Sequence, residues 1–269
     1  MEKMKAAMIG FLPKDGGDPY EALKGYAGIG YTAFEGGGLL LKDGDPAENL
    51  KKVQEFGLKP LSISCGADNI PEDPTELIGK ARSIGVDKII CYCGCAGAHR
   101  FGGRDTRPDY DEIMAEIEKF EAFAQKLQKE GMTFLYHNHD VEFNYVYNGA
   151  SAFSLMVANS DAMKFELDVG WVTYSGHNPV RVINDLGSRL GGILHVKDFV
   201  PGEVQQGNHT MPNFTTPGTG LLNLKGCLEA AQGLGIEYAS VEQDFQRNLT
   251  CHETLTAAYL NMKETGFVC

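Results

Sequence analysis

Three helix-start signals recur at almost constant spacing: Asp18-Pro19-Tyr20-Glu21, Asp45-Pro46-Ala47-Glu48 and Asp73-Pro74-Thr75-Glu76, 27 and then 28 residues apart. Each offers an N-cap carboxylate, a proline suited to the first helical position and a glutamate placed to close a capping box. Asn178-Pro179 is a fourth, later copy. Between and beyond these starts lie short apolar runs that read as strands: 6–11, 32–35, 60–65, 88–93, 133–139, 164–169, 192–197 and 238–242. Helical periodicity separates them, clearest where Ile113, Ile117, Phe120, Ala124 and Leu127 recur at intervals of three and four. About eight alternating β and α units predict a closed parallel (β/α)₈ TIM barrel. An open doubly wound sheet would carry a Gly-rich dinucleotide turn after its first strand, where this chain has Phe11-Leu12-Pro13.

The length of 269 residues matches the roughly 250 typical of one such barrel, and no linker interrupts the series, so 1–269 reads as a single domain. The longest irregular stretches, 96–109 and 199–220, directly follow proposed strands, which places them at the catalytic mouth. With 36 acidic against 24 basic residues the formal charge is -12, a field that repels nucleic-acid phosphates and anionic membrane surfaces. The apolar run before Pro13 is too short for a signal peptide, and no segment approaches a membrane span. The expected compartment is the cytoplasm. Seven scattered cysteines argue against a disulfide framework, and Cys91, Cys93 and Cys95 read as small reduced residues sharing one barrel-facing side of a strand.

Chemistry concentrates in the second half, where strand ends carry ligand-type side chains: His137-Asn138-His139-Asp140-Val141-Glu142, Glu166-Leu167-Asp168, His195-Val196-Lys197-Asp198 and Glu242-Gln243-Asp244. In a barrel, strands five to eight are neighbours, so these termini converge on one side of the mouth. One carboxylate from each of three strands plus an imidazole makes a mixed O/N site suited to manganese, magnesium or cobalt. A strand-end Asp is also a common helix cap, which applies to Asp168. Four successive strand ends carrying acid or histidine are harder to produce by capping alone. His137 and His139 share a strand face, and His139 is preferred as the functional one. Lys197 reads either as an oxyanion stabiliser or as a salt-bridge partner of Glu166. Trp171 is a candidate wall against a sugar ring, and Glu35 a candidate hydrogen-bonding group for hydroxyls, with packing and capping as the alternatives.

These motifs, with Pro217-Gly218-Thr219-Gly220, resemble over nearly the whole chain the sugar phosphate isomerase/epimerase family of xylose isomerase-like barrels. That family includes inosose dehydratases, ketose 3-epimerases and 3-keto-glycoside lyases. The resemblance implies one divalent ion, manganese first and magnesium, cobalt or zinc otherwise, held by Glu, Asp, His and Glu from the last four strands. Asp168, His195 and Glu242 match directly. The epimerases' strand-five glutamate falls near His137, so Glu142, in the loop beyond, is the expected fourth ligand. The departure counts against a 3-epimerase mechanism that uses two metal-bound glutamates.

A cation that grips a carbonyl and an adjacent hydroxyl stabilises the enediolate left when a neighbouring C–H proton departs. Reprotonation gives an isomer or epimer; loss of a β-substituent gives a dehydratase or lyase. His139 is the expected base, with His137 and Lys197 as further catalytic groups. The expected function is therefore a metal-dependent sugar isomerase or epimerase, with a lyase as the alternative, acting on a small carbohydrate in a protein that is either monomeric or a homo-oligomer. An endonuclease IV-like phosphodiesterase, which needs a basic DNA face, and a non-catalytic sugar-binding subunit, which needs no ligand set, fit less well.

Overall fold

The computed structural model describes residues 2–13, 16–207, 209–246 and 248–269. Eight parallel strands close into a barrel: β1 (Lys5–Ile9), β2 (Ala33–Phe34), β3 in two pieces (Lys59–Pro60 and Ile63–Ser64), β4 (Lys88–Tyr92), β5 (Thr133–His137), β6 (Lys164–Asp168), β7 (Leu190–Val196) and β8 (Tyr238–Glu242). Each pairs with its successor, and β1 pairs with β8 in the register Ala7↔Ser240 and Ile9↔Glu242. The two pieces of β3 pair with β2 and β4 respectively, which completes the circle.

Strand alternation sorts the side chains. Ala7, Ala33, Leu61, Ile90, Leu135, Ile193 and Tyr238 form one cluster filling the barrel interior. The residues between them point outward and pack under the helices. Two residues further along four of these inward rows, apolar side chains give way to Glu35, His137, His195 and Ser240, all buried.

The repeated proline signals start helices as expected, at Pro19–Ile29, Pro46–Glu55, Thr75–Ser83 and Pro179–Leu186. Asp18, Asp45 and Asn178 cap them through their side chains. Capping boxes form instead at Asp109/Glu112 and Thr250/Glu253. In the third repeat the reason is visible, because Glu76 is engaged by Lys80 one turn along.

Two loop expectations are corrected. The segment after β7 is a β-hairpin, Asp198–Gln206 against His209–Thr215, rather than an irregular loop. Pro201 and Pro212 disguise it in the sequence, and a register shift between Val200 and Glu203 accommodates Pro201. The segment after β4 contains a short helix, Cys95–Arg100. The three cysteines share no face: Cys91 is outward and buried, Cys93 lies past the strand end with φ 54°, and Cys95 opens the helix. Among the described residues no helix is long and apolar enough to cross a membrane.

Candidate metal centre

The ends of β5 to β8 bring four donors together. The candidate ligand atoms of His137, Asp168, His195 and Glu242 all lie within 4.8 Å of one another. His195 Nδ1 is 3.1 Å from Glu242 Oε2, and His137 Nε2 is 3.9 Å from the same oxygen and 4.0 Å from Asp168 Oδ2. Asp168 also caps the helix that follows, its Oδ1 accepting from Trp171 N at 2.9 Å. The capping reading of this residue is thus met by Oδ1, which leaves Oδ2 for the cluster. Asp168 Oδ2 is buried, has no hydrogen-bond partner among the described residues and faces the cluster. A buried carboxylate oxygen left without a donor is costly. Two imidazoles and two carboxylates at this spacing fit a divalent cation, and the nitrogen share moves the set toward zinc, cobalt and nickel relative to an all-oxygen site.

Glu142 does not join them. It lies in the short helix Val141–Asn144, where its Oε1 accepts from the Tyr136 hydroxyl at 2.7 Å and its Oε2 from His139 N at 2.8 Å. Both oxygens are committed to holding the β5 exit, and the place expected for Glu142 in the cluster is filled by His137. Period-two alternation along β5 was the signal, since it points 133, 135 and 137 to the same interior. Burial raises the Glu142 pKa to about 7.

Charges in the cluster lie close enough to set one another's protonation. Burial would lower the His195 pKa, but Glu166 and Glu35 outweigh it and hold the imidazole well above its ordinary value. His137 is held well below by burial and by the charge on His195. Burial lifts Asp168 to about 6 even though Lys197 opposes the shift. For Glu242 the Lys197 and His195 contributions exceed the burial penalty and keep the carboxyl well below its usual range.

Lys197, 1% exposed, sits 3.0 Å from both Glu242 Oε2 and Asp244 Oδ2 and 3.6 Å from Asp168 Oδ2. Its partners are therefore the cluster carboxylates and Asp244, not Glu166, and they hold its pKa far above normal against desolvation. The ammonium also stands 5.0 Å from the Trp171 ring centroid. Trp171 is itself 1% exposed and packs with Phe199, Met211 and Phe214 beneath the hairpin. It supports Lys197 from behind, and the cavity wall in its place is Phe101.

That cavity, about 410 Å³, opens over the donors. Its lining combines polar groups, His137, His139, Glu166, His195, Glu242 and Asp244, with apolar ones, Ile9, Ile90, Tyr92, Phe101 and Met211. His139 packs edge-on to Phe101, its Nδ1 is buried without a hydrogen-bond partner among the described residues, and its Nε2 is 4.0 Å from Cys93 Sγ. Burial and then Lys197 lower its pKa to about 3, so the ring is neutral near pH 7. Glu35 lies below the donors, not at the mouth: it is 3% exposed, 2.8 Å from His195 Nε2, and accepts the Ser240 hydroxyl. The lining roles of Tyr92, Phe101 and Met211 have no clear sequence signal, because the last two come from segments folded over the mouth.

Residues 23–253 match the family described as Xylose isomerase-like TIM barrel. No curated protein matches. Among solved structures, a sugar phosphate isomerase/epimerase of Parabacteroides distasonis is 21% identical, with 97% of this chain and 96% of that one aligned and a TM-score of 0.71. The IOLI protein, solved with a bound zinc atom, is 16% identical over 97% and 98% of the two chains, TM-score 0.71. D-Psicose 3-epimerase of Clostridium cellulolyticum, solved with D-tagatose, is 16% identical over 99% and 100%, TM-score 0.70.

Proposed function

The chain belongs to the xylose isomerase-like TIM barrel family, and from that premise we propose that it is a divalent-metal-dependent enzyme of sugar carbon chemistry, forming an enediolate by removing the proton next to a carbonyl. The convergence of His137, Asp168, His195 and Glu242 beneath an open cavity carries this reading. A divalent ion bound there would supply Lewis acidity toward the oxygens of the substrate.

The chain's own groups divide the remaining work. His139 borders the cavity, lies outside the four-donor set, and is neutral near pH 7, so it has a lone pair for the substrate proton. Lys197 holds a fixed positive charge beside Glu242 and Asp168 and balances the negative charge that builds on substrate oxygen. Phe101 and Met211 share the lining with the polar groups, giving a sugar both hydrogen-bonding partners and apolar contact. The substrate in this reading is a small carbohydrate, and the ion manganese, magnesium, cobalt or zinc.

One observation favours β-elimination as the second reading. The strand-five position holds His137 and Glu142 is turned away, so Glu242 is the one glutamate in the four-donor set. An acid/base pair of two metal-bound glutamates has no second member here. Elemental analysis of the purified protein, followed by solvent-deuterium incorporation and product analysis over a panel of ketoses, inososes and 3-keto-glycosides, tests both readings. Deuterium in recovered substrate or an epimer supports isomerisation; an unsaturated product supports the lyase; absence of any bound metal together with full exchange activity would reject the metal-dependent scheme.

A further inference from the structure

Two glutamates lie beneath the donors without belonging to the four. Glu35 from β2 and Glu166 from β6 are 3% and 1% exposed. Glu35 Oε1 is 2.8 Å from His195 Nε2, and Glu166 Oε2 is 3.2 Å from both His137 Nδ1 and His195 Nε2. Ser240, the β8 neighbour of His195, gives its hydroxyl to Glu35 Oε1 and fixes that carboxylate in place.

In each histidine the nitrogen facing a buried glutamate is the one turned away from the ligand cluster. His195 turns Nδ1 to Glu242 Oε2 at 3.1 Å, whereas His137 turns Nε2 toward Asp168 Oδ2 and Glu242 Oε2 at 4.0 and 3.9 Å. The two rings therefore use opposite nitrogens toward the same point. A neutral imidazole carries one N–H and one lone pair, and the partner of one nitrogen decides which is which. A carboxylate buried against one nitrogen holds the proton there, because an anionic acceptor without a donor is expensive inside a protein. The other nitrogen then presents its lone pair.

We infer that Glu35 and Glu166 are positioning residues for the cation: Glu35 keeps the His195 proton on Nε2 and Glu166 keeps the His137 proton on Nδ1, so that both lone pairs face the space bounded by Asp168 and Glu242. The assignment rests on the metal-dependent reading above, and it extends the site by a second layer drawn from β2 and β6. It also gives Glu35 a role other than contact with substrate hydroxyls. The strand register makes the arrangement specific. Glu166 is level with His137 across β5 and β6, while Asp168, two residues on, is level with His195 across β6 and β7. One strand thus supplies a ligand to the cluster and a support to its neighbour.

The test combines zinc affinity, measured on the whole protein by competition with a chromogenic chelator, with long-range ¹H–¹⁵N correlation of the histidine rings. Glu35→Leu and Glu166→Leu are expected to weaken zinc binding by roughly 10–100-fold, while Glu35→Gln and Glu166→Gln, whose carbonyls still accept the N–H, stay within about threefold of wild type. Before zinc is added, the His137 ring is expected to carry its proton on Nδ1; with zinc bound, His195 should carry its proton on Nε2 alone. A His137 proton found on Nε2 in the zinc-free protein would overturn the inference. So would leucine variants that bind zinc as wild type does, or folded glutamine variants that fail as badly as the leucine ones. A wild-type protein that binds no divalent metal would instead reject the metal-dependent function, and the zinc-free ring signals would still decide the role of Glu166.

Discussion

His137 stands among the clustered donors where the sequence reading expects Glu142, and the difference has measurable consequences. With its oxygens on Tyr136 and His139 N, Glu142 is expected to be dispensable for metal. Glu142→Gln should retain full metal content, its carbonyl taking the His139 N–H and its amide donating to the Tyr136 hydroxyl, whereas His137→Ala, Asp168→Ala and His195→Ala should lose most of it. Elemental analysis of the four purified variants decides, and metal loss in the glutamine variant alone would restore Glu142 as a ligand. The same substitution has a pH signature. Because the folded pKa of about 7 exceeds the unfolded value, Glu142 holds its proton longer in the folded state, and its contribution to stability falls as pH rises from about 4.5 to about 7. Urea denaturation of Glu142→Gln should therefore show a smaller stability loss between pH 5 and pH 8 than wild type does; parallel profiles would contradict the assignment. His139 poses a different question, since its ring is at the cavity but outside the four donors. His139→Ala should keep its metal and lose exchange of the substrate α-proton with solvent by about 10²–10⁴-fold. Wild-type exchange in that variant would move the base to Asp244 or Glu166.

At the level of elements, the turn after β7 shows what a sequence motif without a ligand accomplishes. Asp198 follows the strand that carries His195 and Lys197, and its carboxylate accepts from Phe199 N at 2.8 Å, Gly218 N at 3.0 Å, Gly220 N at 2.9 Å and Leu222 N at 2.9 Å. It thereby closes the base of the hairpin onto the loop 217–222. A Cβ at Gly220 would sit 2.4 Å from the Phe199 carbonyl oxygen, so the loop approaches this closely only with glycine there. Asp198→Ala leaves buried N–H groups unsatisfied and is expected to cost about 1–3 kcal/mol in urea denaturation, with loss of the apolar wall that Met211 provides. An Asp198→Ala protein of unchanged stability would show the loop to be held by other contacts. The strands, their order and the inward row of chemistry were legible because alternation and spacing are one-dimensional signals: β8 runs over the predicted 238–242 and the other seven begin and end within two residues of prediction, the departure being the break inside β3 between Pro60 and Ile63. Legibility stops where placement depends on a third dimension. Nothing in the spacing shows that Glu35 faces His195 across 160 residues, that Met211 folds back over the mouth, or that Trp171 is shielded by the hairpin.

For the molecule as a whole, closing the barrel concentrates negative charge at one end of a chain that already carries a formal charge of -12. Glu35, Glu166, Asp168 and Glu242 converge there, offset within the cluster by His195 and Lys197. The four proposed ligands come from four consecutive strands, β5 to β8, so a bound cation would tie half of the barrel together and relieve the carboxylate repulsion in one step. A ligand that binds only the folded state stabilises it by mass action, about 2.7 kcal/mol at a hundredfold excess over its dissociation constant. For a protein near this size that corresponds to a rise in melting temperature of about 5–10 °C. The increment should depend on pH in a defined direction. Asp168, with its pKa lifted to about 6 by burial, holds a proton in the metal-free folded state at pH 5 and must give it up to bind a cation. The proton therefore stabilises the metal-free protein below about pH 6 and competes with the cation there, while above it Asp168 is charged and gains from the cation. The gap in melting temperature between metal-loaded and chelator-treated protein is accordingly expected to widen from pH 5 to pH 7.5. Melting curves that coincide with and without the chelator at every pH would mean that the barrel carries this cluster without any cation's help, and the carboxylates would then have to be balanced by His195 and Lys197.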